Sequence, residues 1–170
     1  MIEPYNPEGW HDFFLACAGA AASLTGLLFV SLSLHVRFIA SSETHRNTAR
    51  GSLIGLVMVL GVSLVVLVRQ PQTWMGVELA IVNMSYIVAV GAFQVARLVR
   101  GQSVALVSLR RAGLGYLLAL SGIYAAYSIY TATGPGLYVV AFEAVAIIVW
   151  NLRNSWYLLM SVVDRDLART

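Results

Sequence analysis

Four long runs without a charged side chain, residues 13–34, 51–68, 79–96 and 112–142, constrain this chain more than any other feature; they hold 22, 18, 18 and 31 residues. About 20 apolar residues in a helix cross the roughly 30 Å hydrocarbon core of a bilayer. Charged residues make up 11% of the chain, well below the roughly 25% of an ordinary soluble domain. The expected class is therefore an all-α integral membrane helical bundle in a single transmembrane domain, with the lipid bilayer as its solvent.

The first three runs predict one span each, near 13–36, 51–69 and 75–96. The fourth is too long for one simple crossing and breaks at Thr133-Gly134-Pro135-Gly136, because proline lacks a backbone donor and glycine adopts turn conformations that helices avoid. Two further spans follow, near 112–132 and 137–160. Five spans place the chain ends on opposite faces. The residues before the first run carry Glu3, Glu8 and Asp12 but no Arg or Lys, and the run exceeds a signal peptide's apolar core, so the first span is expected to be retained.

Arginine placement orients the bundle, since cytoplasmic flanks of short-looped membrane proteins hold the excess of basic residues. Arg37, Arg46 and Arg50, then Arg97, Arg100, Arg110 and Arg111, then Arg153, Arg165 and Arg169 fall on one set of alternate segments, and only Arg69 falls on the other. The N-terminus is expected outside and the C-terminus in the cytoplasm, in a bacterial inner membrane. Trp10, Trp74, Tyr130 and Tyr138 then lie at outer ends, with Trp156 and Tyr157 towards the inner end, where amphipathic rings prefer to sit. The short apolar piece 103–109 between arginine pairs is expected to lie on the anionic leaflet.

Composition excludes several functions. The net charge is +3, but the arginines are scattered along membrane flanks and form no stripe, so nucleic acid is not an expected partner. Cys17 is the sole cysteine, which precludes an intrachain disulfide. Ala119-Leu120-Ser121-Gly122 approaches the nucleophile motif of rhomboid-like proteases, yet no histidine follows it to act as base. His11 and His35 stand about 36 Å apart along a helix, too far to share a metal or haem. No enzyme activity, cofactor or metal site is expected.

Small residues supply one candidate surface. Helices in lipid approach closely where side chains are small, and the first span carries Ala18, Gly19, Ala22, Ser23 and Gly26, the second Gly51 and Gly55, the fourth Gly115, Ala119, Gly122 and Ala126. These faces serve intrachain packing, an oligomer interface or a pore lining.

Ionisable groups at membrane depth supply the other, because each is costly unless paired and such groups often mark pathways. Glu143 follows Pro135 by eight residues and Tyr127 precedes it by eight, so the two should lie level, about 10 Å below that end of the bundle at 1.5 Å per residue. Asn151 and Asn154 extend a polar stripe below Glu143, while Tyr116, Tyr124, Tyr127 and Tyr130 share one sector of the fourth span. If the faces meet, Glu143, Tyr127, Tyr124, Asn151, Asn154 and Arg153 form a hydrogen-bonding seam, either as structural glue or as a proton or ion route. Glu78 is expected near the surface, and Asn83 and Gln94 are expected to bond between helices.

The stretch Pro7-Glu8-Gly9-Trp10-His11-Asp12-Phe13-Phe14, followed by Ala18-Gly19-Ala20-Ala21-Ala22-Ser23-Leu24-Thr25-Gly26-Leu27-Leu28-Phe29-Val30, resembles a group of small bacterial membrane proteins, some labelled modulator of the FtsH protease. The resemblance is clearest over residues 7–35 and implies a regulatory membrane-protein partner; better-known modulators of that type are longer and have more spans. The expectation from the residues themselves is a homo-oligomer that associates through small-residue faces and provides an ion channel or permeation pathway. A non-enzymatic accessory subunit bound to another membrane protein is the alternative.

Overall fold

Uncharged runs too long to leave their backbone polar groups unpaired in lipid become helices, in which each segment satisfies its own ladder. The computed structural model describes residues 6–99 and 106–167. A 3-10 turn at Pro7–Trp10 opens on Asn6, whose Oδ1 accepts from the Glu8 N–H at 3.1 Å. It leads into α1 (His11–Leu34), the short α2 (Val36–Ser41), α3 (Glu43–Leu67), α4 (Gln72–Val99), α5 (Leu106–Tyr130) and α6 (Gly136–Leu167), with no strand among the described residues. Five of these helices, all but α2, are long and apolar enough to cross a membrane.

Spans and helices differ where the chain leaves the apolar zone. Helix α3 begins at Glu43 rather than at 51, and α6 runs to Leu167 rather than 160. Hydropathy marks the edge of the lipid, whereas the backbone ladder continues into polar sequence wherever packing supports it. At α3 that support is a satellite core of Leu28, Ala49 and Leu56, flanked by Leu24, Leu32, Ile39 and Leu53. Of the piece expected to lie on the leaflet, residues 103–105 fall outside the described residues, and 106–109 form the first turn of α5.

The corner between α5 and α6 is tighter than its proline and glycines alone require. Thr133 N–H donates to Ser128 O at 2.9 Å and Ala132 N–H to Ile129 O at 3.1 Å, the paired bonds of a Schellman motif, in which the residue after the cap takes the left-handed conformation. That residue is Ala132, with φ 53°. The Ser128 hydroxyl also donates to Thr133 O and accepts from Gly136 N–H at 3.0 Å. One side chain thus ties the end of α5 to the start of α6.

Helices α3, α4, α5 and α6 form a ring of neighbours, and α1 packs against α3 and α6. Trp10 meets Tyr138 edge-on at 4.6 Å, so the starts of α1 and α6 share one end of the bundle with the Pro135 corner. Trp10, at that end of the bundle, is itself buried among Phe13, Phe14 and Tyr138. Trp74, Tyr130, Tyr138, Trp156 and Tyr157 are exposed. At the opposite end the Arg50 guanidinium stands 5.2 Å over the Phe93 ring, joining the start of α3 to the far part of α4.

Glycine determines how closely the helices approach. A Cβ at Gly76 of α4 would lie 2.8 Å from the Ala126 carbonyl oxygen and 2.9 Å from the Tyr130 backbone nitrogen of α5. A Cβ at Gly55 of α3 would meet Asn151 Nδ2 of α6 at 2.8 Å. Gly115 receives the Tyr86 hydroxyl in the same way, at 2.5 Å. Ala119 and Ala126, the small partners expected beside Gly115 and Gly122, are fully buried.

Candidate functional site

Glu143 lies on the face of α6 that the bundle encloses, and only 2% of it is exposed. Asn151 and Asn154 continue the same face and are also buried, so the polar stripe expected along this helix is present. Asn151 Nδ2 donates to the Ile147 carbonyl at 2.8 Å, which ties its amide to its own helix.

The group that meets Glu143 is not the expected tyrosine. A Cβ at Gly122 of α5 would stand 2.5 Å from Glu143 Oε2 and closer still to Asn83 Oδ1 of α4. The carboxyl and the amide oxygen therefore converge on the space left by one missing methyl, at the junction of α4, α5 and α6. Asn83 is 1% exposed. Its Nδ2 donates to Leu79 O at 3.0 Å, which turns Oδ1 towards Gly122. Among the described residues no hydrogen bond reaches Asn83 Oδ1, Glu143 Oε1 or Glu143 Oε2. Tyr86 lies within electrostatic range of both Glu143 and Tyr116, and the Tyr116 hydroxyl faces Gly91 at 3.5 Å from its ideal Cβ.

Three members of the expected seam lie elsewhere. Tyr127 is 66% exposed and Tyr124 is exposed as well, so both rings point away from the enclosed face that holds Glu143. The Tyr124 hydroxyl instead comes within 3.6 Å of where a Cβ would stand on Gly134. Arg153 is exposed and places its guanidinium 4.6 Å over the Trp150 ring of its own helix. The physical reason is rotational: Gly122 and Tyr127 are five residues apart, about 140° around a helix at 100° per residue. When Gly122 faces the bundle, Tyr127 faces out.

Other polar residues divide between local bonding and isolation. Glu78 is half-buried and accepts from Gln70 Nε2 at 2.9 Å, close to the α3–α4 connection. Among the described residues Gln94 Oε1 and the hydroxyls of Ser52 and Ser63 are buried without a hydrogen-bond partner, and neither Asn83 nor Gln94 makes the expected interhelical bond through its side-chain oxygen. Ser121, in the rejected protease-like motif, donates to the Leu118 carbonyl at 2.6 Å. Among the described residues no three His, Cys, Asp or Glu side chains gather as a metal site.

The small-residue stripe of α1 divides by side. Ala18 is buried, whereas Gly19, Ala22, Ser23 and Gly26 are exposed, and among the described residues nothing approaches within 4 Å of a Cβ built on Gly19 or Gly26. Gly51 is likewise open, while Gly55 packs against Asn151. Comparison with protein-family models, curated proteins and solved structures found no match to the chain.

Proposed function

We propose that this chain is a non-enzymatic protein of the bacterial inner membrane that associates with copies of itself through the outward face of α1, and that the assembly provides a permeation path for small ions. The observation that carries this is the glycine pair on that face. Glycine costs a helix interior about 1 kcal/mol relative to alanine, and no described residue of the protomer comes within 4 Å of a Cβ position on Gly19 or Gly26 in return. A second helix brought against Gly19, Ala22, Ser23 and Gly26 would recover that cost through close backbone packing. The arginine distribution supports an orientation with the N-terminus outside.

The test is cysteine cross-linking in native membranes on a Cys17→Ala background. Cysteine at Ser23 or Gly26 is expected to give a disulfide-linked dimer, since a disulfide needs Cα atoms within about 7 Å, while cysteine at exposed Val88 on α4 is expected to give none. Purified protein in liposomes should then pass small ions, and Ala22→Trp should block the flux. Cross-links only to a different protein would replace self-association with the accessory-subunit alternative. Dimers without flux would remove the permeation path and leave the assembly.

A further inference from the structure

We propose that Glu143 is a proton-binding site of the membrane interior, which holds its proton as a carboxyl O–H donated to Asn83 Oδ1 across Gly122. This does not depend on self-association through α1. It begins with the direction of the Asn83 amide. Because Nδ2 donates to Leu79 O at 3.0 Å, reversing the amide would set two carbonyl oxygens against each other; Oδ1, an acceptor only, must face Gly122. Glu143 Oε2 is directed at the same space, 2.5 Å from where a Gly122 Cβ would stand, and as a carboxylate is also an acceptor only. Among the described residues no donor reaches either atom.

Two buried acceptors converging on one methyl-sized space repel unless a hydrogen lies between them. Among the described residues no neighbouring side chain places a donor on them. Tyr86 on α4 is within electrostatic range of Glu143, and Tyr116 on α5 is within range of Tyr86. Glu78 on α4 is engaged by Gln70, and Tyr124 and Tyr127 on α5 face outward. Among the described residues the buried polar side chains of helix α3 are Thr48, Ser52 and Ser63, while His45 lies near the start of the helix and Arg50 stands over Phe93. Helix α1 contributes buried Cys17, and Tyr138 on α6 packs on Trp10. Among the described residues no hydrogen-bond donor, cationic or neutral, reaches the carboxyl.

A proton resolves this with the fewest atoms. Taken from hydronium, it leaves water behind and converts Oε2 into a donor to Oδ1, with no net charge left on the pair. A metal ion fits less well. The site offers three side-chain oxygens, whereas Ca2+ takes about six to eight and Mg2+ about six in an octahedron. The missing methyl of Gly122 leaves the space in which the carboxyl and the amide converge, at the junction of α4, α5 and α6.

Full-length protein in liposomes, probed with dicyclohexylcarbodiimide, tests the site, because this apolar reagent adds to protonated carboxyls in lipid surroundings. Mass spectrometry is expected to find the adduct on Glu143 at neutral pH, with labelling that falls about tenfold for each pH unit above the midpoint of a one-proton titration. Infrared spectra supply a readout independent of reagent access. A carboxylic-acid carbonyl band should disappear in Glu143→Gln, which keeps the shape and a donor, and should shift to higher frequency in Asn83→Leu, which removes the acceptor. Absence of that band from the folded protein at neutral pH would overturn the proposal. Protection from labelling by sodium at constant pH would overturn it in favour of a metal cation. Flux through the assembly can fail while these results stand, so the two proposals are separately refutable.

Discussion

Ala132 carries φ 53° at the end of α5, a conformation that costs a residue with a Cβ roughly 1–2 kcal/mol. Glycine takes it without that cost, at the expense of some added freedom in the unfolded chain. Ala132→Gly is therefore expected to stabilise the protein by about 0.5–1 kcal/mol, read as a higher midpoint in detergent thermal unfolding; a lower midpoint would show that the corner is held by something other than the Schellman bonds. The carboxyl–amide pair makes a second prediction. Asn83→Leu and Glu143→Leu should show a coupling of about 0.5–3 kcal/mol in a double-mutant cycle, the range for residues in one hydrogen-bonded contact, because each single change leaves the other polar group orphaned. Additive effects would mean that the two do not interact. At this scale the sequence located the carboxyl but not its partner. Depth follows from counting residues away from Pro135, which singled out Glu143. Facing depends on the rotational phase of each helix, and nothing in a tyrosine among apolar residues says whether its ring seeks a carboxyl or the lipid boundary.

Between helices, the chain uses glycine in two opposed ways, and hydropathy does not separate them. Gly76 sits where α4 touches the backbone of α5, so Gly76→Ala puts a methyl 2.8 Å from the Ala126 carbonyl and must push the helices apart. The expected loss is about 1–3 kcal/mol, as for other overpacked contacts. Gly26 faces open space, so Gly26→Ala should leave protomer stability unchanged or raise it by up to about 1 kcal/mol through helix propensity, while it weakens self-association in the membrane. Thermal unfolding and cross-linking yield, measured on both variants, distinguish the roles; equal losses of stability would mean that α1 is packed as tightly within the protomer as α4. The spacing of four in Gly76 and Ala80 matched that of Gly19 and Ser23. Small-residue spacing records that something comes close and leaves open whether it belongs to the same chain. The element ends were less legible for a related reason: the largely polar stretch 43–50 looks like a loop by hydropathy, yet Ala49 packs with Leu28 and Leu56 and the helix continues through it.

For the molecule as a whole, the five-helix class was legible because lipid imposes a length and a composition on every crossing. Orientation is a separate matter and is set by charge. The Pro135 corner carries no arginine, while the connection before α5 lies beside Arg97, Arg100, Arg110 and Arg111. Basic residues are retained on the cytoplasmic face during insertion, so the corner and the exposed Trp74 should lie outside and the chain's last residues inside. Labelling intact cells with an impermeant thiol reagent, on the Cys17→Ala background, is expected to modify a cysteine placed at exposed Thr133 and to spare one placed at Thr170. The same asymmetry makes the corner sensitive to charge. Thr133→Arg combined with Thr131→Arg would put two basic residues where there are none, and should reduce the fraction of molecules that place the α5–α6 hairpin across the bilayer, read as lost labelling of a cysteine at Pro135. The comparison needs a neutral control, for which Thr133→Gln with Thr131→Gln serves. Equal loss with the control would assign the effect to the Thr131 and Thr133 hydroxyls, which bond one another at 2.7 Å, and would remove charge as the determinant of orientation at this corner.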